Sequence, residues 1–291
     1  MLIKKMKIFK LIKGIGVASL LIMVSLESSI VNAATSNATR MEEDGYTLLD
    51  KKFDYQNVLQ GKTMYAFGDS IVAGHKYPLS FVDFVTQNQG MKLKKYARNG
   101  AVICSAATDP MGGYIMNQVK SASLVNPDYV VFDGGTNDAE NIYNNGGTSL
   151  YNIGTVTEGK DSSKFDTKTF AGSFEKTLYD MENKWHSAKI VYVAVHKLGS
   201  RDWKTQLAMR EVELAACKKW GVIVADVFGN TNFDTRNIEM KDSYTFNNLN
   251  SSGVPGNNGS GTHPNLAGIK KYYLPVLTTT LLKLAISDIS Y

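Results

Sequence analysis

Short apolar runs alternate along the chain with longer stretches whose apolar positions recur every three or four residues. Residues 63–67 (TMYAF), 93–97 (LKKYA), 128–133 (DYVVFD), 190–195 (IVYVAV) and 222–228 (VIVADVF) read as strands. The 128–133 and 190–195 runs are apolar almost throughout, as strands buried on both faces are, whereas 93–97 is broken by lysines. Between the strands, helical spacing predicts elements over 78–89, 113–124, 167–186 and 203–220, and an apolar helix over 266–286 closes the chain. The 167–186 helix is the clearest, with Phe170, Phe174, Leu178, Met181 and Trp185 along one face. Strands alternating with helices indicate βαβ units, so the expected fold is α/β: a three-layer α/β/α domain on a parallel sheet of about five strands.

Two polar stretches interrupt this rhythm. Residues 139–163 and 229–261 are rich in Gly, Asn and Ser, and each is too long to be a mere connector. The chain shows no internal repeat.

Charge and the N-terminus change the picture next. The formal net charge is +5, and Lys4, Lys5, Lys7, Lys10 and Lys13 against Glu27 place +4 of it in the first 33 residues, leaving about +1 for the rest. The body is near neutral, with no basic stripe for nucleic acid. Those lysines precede an uncharged apolar run of 13 residues, Gly14 to Leu26, and then Val31-Asn32-Ala33, which together describe a secretory signal peptide over 1–33, cleaved after Ala33 or, second, Ala34. A spanning helix needs roughly 20 apolar residues. The expectation is therefore secretion or loose association with the cell surface, with no stable membrane anchor after cleavage. Residues 34–60 read as an N-terminal arm and 61–291 as the domain. Export permits disulfides, but Cys104 follows the second strand and Cys217 lies in a helix before the last. Two free, buried cysteines are expected.

Candidate chemistry collects at the ends of the strands, where α/β sheets bind ligands. After the first strand comes Gly68-Asp69-Ser70, a turn sequence in its own right. After the second stands Gly100, after the third Gly134-Gly135-Thr136-Asn137-Asp138, after the fourth His196, and before the last helix Thr262-His263-Pro264-Asn265. A serine hydroxyl needs a base to take its proton, and an oxyanion needs donors aimed at it. A serine, a histidine, glycine-flanked backbone N–H groups and an asparagine amide supply these parts. No His/Cys/Asp/Glu spacing suits a metal and no phosphate loop precedes a helix, so no cofactor is expected.

The blocks Gly68-Asp69-Ser70, Gly100, Gly135-Thr136-Asn137-Asp138 and Thr262-His263-Pro264-Asn265, in this order, resemble the SGNH (GDSL) hydrolase superfamily, the GDSL-like lipases and acylhydrolases. The likeness spans roughly residues 60–285. It implies a flavodoxin-like sheet and ester hydrolysis through an acyl-enzyme. By position it implies Ser70 as nucleophile, His263 as base, and an oxyanion hole of the Ser70 and Gly100 N–H groups with the Asn137 amide. Aligning the second block on Asn99 instead would bring Cys104 to the Gly100 position; a side chain there would crowd the hole.

One departure stands out. The family usually carries Asp three residues before the histidine, and Ser260 occupies that position here. Either a backbone carbonyl of the 257–261 loop holds the ring, giving a Ser–His dyad, or Asp226 or Asp242 swings in. His196 is a rival base or substrate contact, although a rim or core place suits it better. His75 has a lining or loop role, Asp69 and Asp138 brace the loops, and His186 suits a helix C-terminus. The function expected is a secreted serine esterase removing O-acetyl or other short acyl groups from a small-molecule or polysaccharide ester. Lipase or acyltransferase activity on the same residues, or a carbohydrate-binding domain that has lost turnover, are the alternatives.

Overall fold

Five parallel strands form the centre of the molecule, in the order β2-β1-β3-β4-β5. The structure, a computed structural model, describes residues 58–75, 79–143, 149–247 and 258–287. The expected signal peptide, its cleavage site and the part of the expected arm before Val58 lie outside these residues. Leu59–Tyr291 is one compact unit.

The strands are β1 (Thr63–Phe67), β2 (Lys92–Lys95), β3 (Tyr129–Phe132), β4 (Lys189–Ala194) and β5 (Ile223–Asp226). They pair in register Met64↔Tyr129, Val131↔Val191 and Tyr192↔Val224. β3 is buried at every position, and β1 at all but the first, because helices cover both faces. The lysine-broken β2 is an edge strand, where exposed lysines discourage pairing with another chain.

Strand alternation divides the core. Tyr65, Phe67, Val130, Phe132, Tyr192 and Ala194 point to one face and pack with Ile115, Phe170, Phe174, Leu178, Met181, Trp185, Met209 and Trp220. These come from α3 (Ile115–Ser121), α5 (Phe170–Lys184) with its C-cap Trp185, and α6 (Trp203–Trp220); α5 packs on both α3 and α6. On the other face α2 (Phe81–Asn88) packs against the C-terminal helix, with the Phe81 and Tyr273 rings 5.0 Å apart. Local chemistry sets the helix ends. Ser80 and Asp83 form a reciprocal capping box on α2, Asp202 accepts the Thr205 N–H at 2.8 Å on α6, and Gly221 ends α6 at φ +69°.

The polar stretches hold more regular structure than their composition suggests. Residues 136–142 form α4 (Thr136–Ile142), so the first long segment begins inside a helix. Its later part is tied down over the sheet: the Thr157 N–H donates to the buried Glu175 at 2.8 Å, and Lys219 pairs with the same carboxylate. In the second stretch lie α7 (Val227–Asn230), α8 (Ile238–Tyr244) and an antiparallel ribbon of β6 (Thr245–Asn247) with β7 (Gly259–Pro264). The C-terminal helix is not continuous. A short α9 (Leu266–Gly268) passes into a π-helical turn, Ile269–Tyr273, before α10 (Leu274–Ser287). Pro275 lacks the N–H that would bond back to residue 271, and its ring crowds that carbonyl, so the helical register widens just before it. Cys104 and Cys217 are both buried and free, as expected.

Candidate active site

The strand order reverses direction between β1 and β3, and at such a switch point the loops leaving adjacent strands diverge to open a crevice. Ser70 follows β1 and the Gly135-Thr136-Asn137-Asp138 block follows β3, so both border that crevice.

Ser70 is the first residue of a four-residue helix, α1 (Ser70–Ala73), entered through a tight turn. Gly68 takes φ +142°, and a Cβ there would lie 1.7 Å from Asp133 Oδ1, so only glycine fits. The Gln118 side chain clamps this glycine from both sides: its Oε1 accepts the Gly68 N–H and its Nε2 donates to the Gly68 carbonyl, each at 2.9 Å. Asp69 caps α1 by accepting the Ile71 N–H at 2.9 Å, and its own N–H donates to Asp133 Oδ1 at 3.0 Å. Burial raises the Asp69 carboxyl to about 6, although the Ile71 N–H and the Thr136 hydroxyl pull it down. Burial, with the Asp69 charge added to it, pushes Asp133 well above the usual carboxylate range. Asp133 packs beneath the turn that carries Ser70.

The second and third blocks are stitched together by Asp138. Its carboxylate accepts the N–H groups of Ile103 and Cys104, each at 2.9 Å, and the Tyr151 hydroxyl at 2.8 Å. Burial raises this carboxyl too, against the effect of those three donors. Asp69 and Asp138 thus brace the loops as expected. Gly100 sits at φ +77°, where an added Cβ would meet the Met111 methyl at 2.7 Å. Asn137, in the first turn of α4, donates one amide hydrogen to the Ala101 carbonyl at 2.9 Å, which aligns its side chain beside Gly100.

His263 arrives on β7 rather than on a loop. Its Nε2 lies 2.8 Å from Ser70 Oγ, across 193 residues of sequence. Three neighbours hold the strand: Asp242 accepts the Gly259 N–H at 2.8 Å, Thr235 Oγ1 donates to the Gly261 carbonyl at 2.7 Å, and Ser200 bonds the Thr262 hydroxyl. Ser260, in the place of the family's carboxylate, turns its Oγ to the backbone, accepting the N–H groups of Thr262 and His263 at 3.2 and 3.0 Å. It shapes the strand that carries the histidine.

Two of the candidate partners are engaged elsewhere. Asp226, at the end of β5, forms a two-pronged ion pair with Arg210 at 2.9 and 2.6 Å and accepts the Gly229 N–H. Asp242 serves the β7 backbone through Gly259. His196 takes the core place that suited it better, and its alternative as a rival base falls away. It is fully buried, stacked on Phe233 at 4.1 Å with its Nδ1 2.6 Å from the Tyr273 hydroxyl, and burial lowers it to about 3. It is a neutral core histidine, enclosed by Phe233 and by Tyr273 of the π-helical turn.

Sequence reasoning assigned no role to Gln118 or Asp133, which hold the nucleophile turn, and only a lining or loop role to His75. The His75 ring lies face to face with that of His263, centroids 3.6 Å apart and planes 8° from parallel. The apolar run 128–133 ending in Asp133 was the available signal for one of them, since an acid closing a buried strand needs a buried partner. A cavity of about 40 Å³ lies behind the Gly134–Thr136 turn, bordered by Tyr192, Gln206, Arg210 and Glu213. Neither Ser70 nor His263 lines it.

The chain matches the family model of GDSL-like lipase/acylhydrolases over residues 64–271. No match is found among curated proteins. Among solved structures it is similar to a protein from Lactobacillus plantarum (16% identity, TM-score 0.57, covering 78% of this chain and 98% of that one). It is also similar to a possible lipase from Chitinophaga pinensis (17%, 0.53, 77% and 97%) and a putative GDSL-like lipase from Bacteroides ovatus (14%, 0.51, 79% and 99%). At these identities the neighbours show the fold, which is the three-layer α/β/α arrangement described above. The family match over most of the chain adds the chemistry: the protein belongs to the GDSL-like lipase/acylhydrolase family and is a serine carboxylic ester hydrolase.

Proposed function

We propose that Ser70 is the nucleophile and His263 the general base of an exported esterase that removes short acyl groups, O-acetyl above all, from a carbohydrate. The observation that carries the catalytic assignment is the 2.8 Å contact between Ser70 Oγ and His263 Nε2, made by residues from opposite ends of the domain. Ser70 Oγ attacks the ester carbonyl as its proton passes to His263 Nε2. The tetrahedral oxyanion is met by the Ser70 and Gly100 N–H groups and by the Asn137 amide hydrogen not given to Ala101. Collapse expels the alcohol, which takes the proton from His263. Water then attacks the acyl-serine, giving its proton to the same nitrogen, and release of the acid restores Ser70.

The substrate class is supported by the surroundings of the crevice. Residues 139–163 and 229–261 are polar in sequence, and a hydroxyl-rich ligand is matched by such side chains better than an acyl chain is. Export is supported by the basic start, the 13-residue apolar run and the small residues before Ala34.

The test uses the mature protein with a fluorophosphonate probe and a series of aryl esters from acetate upward. Labelling is expected for the wild type and lost in Ser70→Ala, and His263→Ala should lose nearly all aryl acetate turnover. Activity peaking at acetate, with release of acetate from acetylated polysaccharide, is the expected result. A rate that rises with chain length would point to a lipase and overturn the substrate assignment.

A further inference from the structure

The family's orienting carboxylate is replaced by Ser260, whose hydroxyl serves the backbone, yet the ring it would have oriented has a flat neighbour. His75 lies five residues beyond the nucleophile, just past the end of α1. Gly74 takes φ +108° and His75 itself φ +51°, a left-handed conformation uncommon outside glycine although histidine is among the residues that tolerate it. Such a conformation is kept where the surroundings impose it. Here the His75 N–H donates to the Ser70 carbonyl at 2.9 Å, and its own carbonyl accepts from Asn99 Nδ2 at 3.0 Å. The residue is pinned between the nucleophile's helix and the turn that carries Gly100. The consequence is the parallel stack of its ring on His263, with the buried Phe246 ring 5.8 Å from it.

We infer that His75 is a positioning residue for the catalytic base: its ring is the platform that fixes the plane of the His263 imidazole. This rests on the reading of His263 as the base. A carboxylate does two things for a catalytic histidine, holding the ring's orientation and stabilising the imidazolium that forms. A ring lying 8° from parallel restricts rotation of His263, so that Nε2 stays aimed at Ser70 Oγ. Because His75 is anchored to the Ser70 carbonyl, the platform moves with the nucleophile and keeps the two reacting groups in step.

The experiment compares His75→Ala, His75→Gln and His75→Phe with the wild type, measuring kcat, KM, the rate of fluorophosphonate labelling and the melting temperature. Gln fills similar space without a ring, and Phe restores a flat face without ionisable nitrogens. Active-site titration with the probe normalises every rate to folded enzyme. For Ala and Gln, kcat and the labelling rate should fall about tenfold or more with KM within about twofold. His75→Phe should recover most of that loss. Turnover of Gln or Ala within about twofold of wild type would overturn the inference, as would a Phe variant as slow as Ala. Failure of the wild type to label at all would instead sink the Ser70–His263 assignment itself.

Discussion

Asp133 Oδ1 accepts the backbone N–H of Asp69 at 3.0 Å, directly beneath the nucleophile turn. The same oxygen occupies the space that any side chain at residue 68 would need, so the turn, its glycine and this acid form one unit. Burial pushes the Asp133 carboxyl well above the usual carboxylate range, and its contact with the turn is as a hydrogen-bond acceptor.

The acceptor role has a direct test. Asp133→Asn presents the same acceptor oxygen with an N–H beside it, and it should keep aryl acetate kcat within about threefold of wild type. Asp133→Ala leaves the Asp69 N–H unpaired in a buried site and should cost about 1–3 kcal/mol in denaturant unfolding, with a matching loss of activity. An Asn variant as damaged as Ala would mean that the charge of Asp133 is what matters.

Asn137 is asked to stabilise an oxyanion while its other amide hydrogen is held by Ala101. Removing one such donor costs about 10²–10³ in kcat. Asn137→Ala should therefore lower kcat by that factor and leave KM nearly unchanged, measured on a soluble acetyl ester. A change confined to KM would reassign Asn137 to substrate binding.

Glu213 provides a pH signature remote from Ser70. Burial raises its carboxyl from the ordinary 4.5 to about 8, while the Tyr192 hydroxyl and the Arg210 charge pull it down. The unfolded chain ionises this group near 4.5 and the folded protein only near 8. Its contribution to stability is thus whole below about pH 4.5 and is lost progressively as pH rises to about 8. At about 1.4 kcal/mol per unit, the loss amounts to several kcal/mol. Urea midpoints for the wild type should fall between pH 5 and 8, and Glu213→Gln should flatten that slope. Equal slopes in the two proteins would show that Glu213 is already ionised in the fold.

Much of the architecture was legible in the chain because periodicity is a local property. The run Thr63–Phe67 and the helix Trp203–Trp220 appear with the bounds the pattern predicts. The failures have local causes too. The ribbon β6–β7 (TFN and GSGTHP) carries no apolar alternation, and α8 and the end of β7 bond to one another around Asn265, which donates to the Ser243 carbonyl at 3.0 Å. Pro275 carried a readable signal for a break in the last helix, since it cannot donate to the preceding turn.

The sequence by itself placed the candidate groups: a serine after one strand, a glycine and an asparagine after two others, a histidine before the last helix. Those are residue types at chain positions, and the strand pattern already directs all of them to one edge of a sheet. Only the tertiary structure decided which histidine meets the serine and what lies behind it. His196 and His263 both stood near that edge in sequence, but one is enclosed by Phe233 and Tyr273 while the other meets Ser70 Oγ at 2.8 Å. The face-to-face stack of His75 on His263 depends on a backbone turned left-handed by Gly74 and on a strand returning from nearly 200 residues away. Contacts of that kind are set by the folding of the whole chain, and no local pattern encodes them.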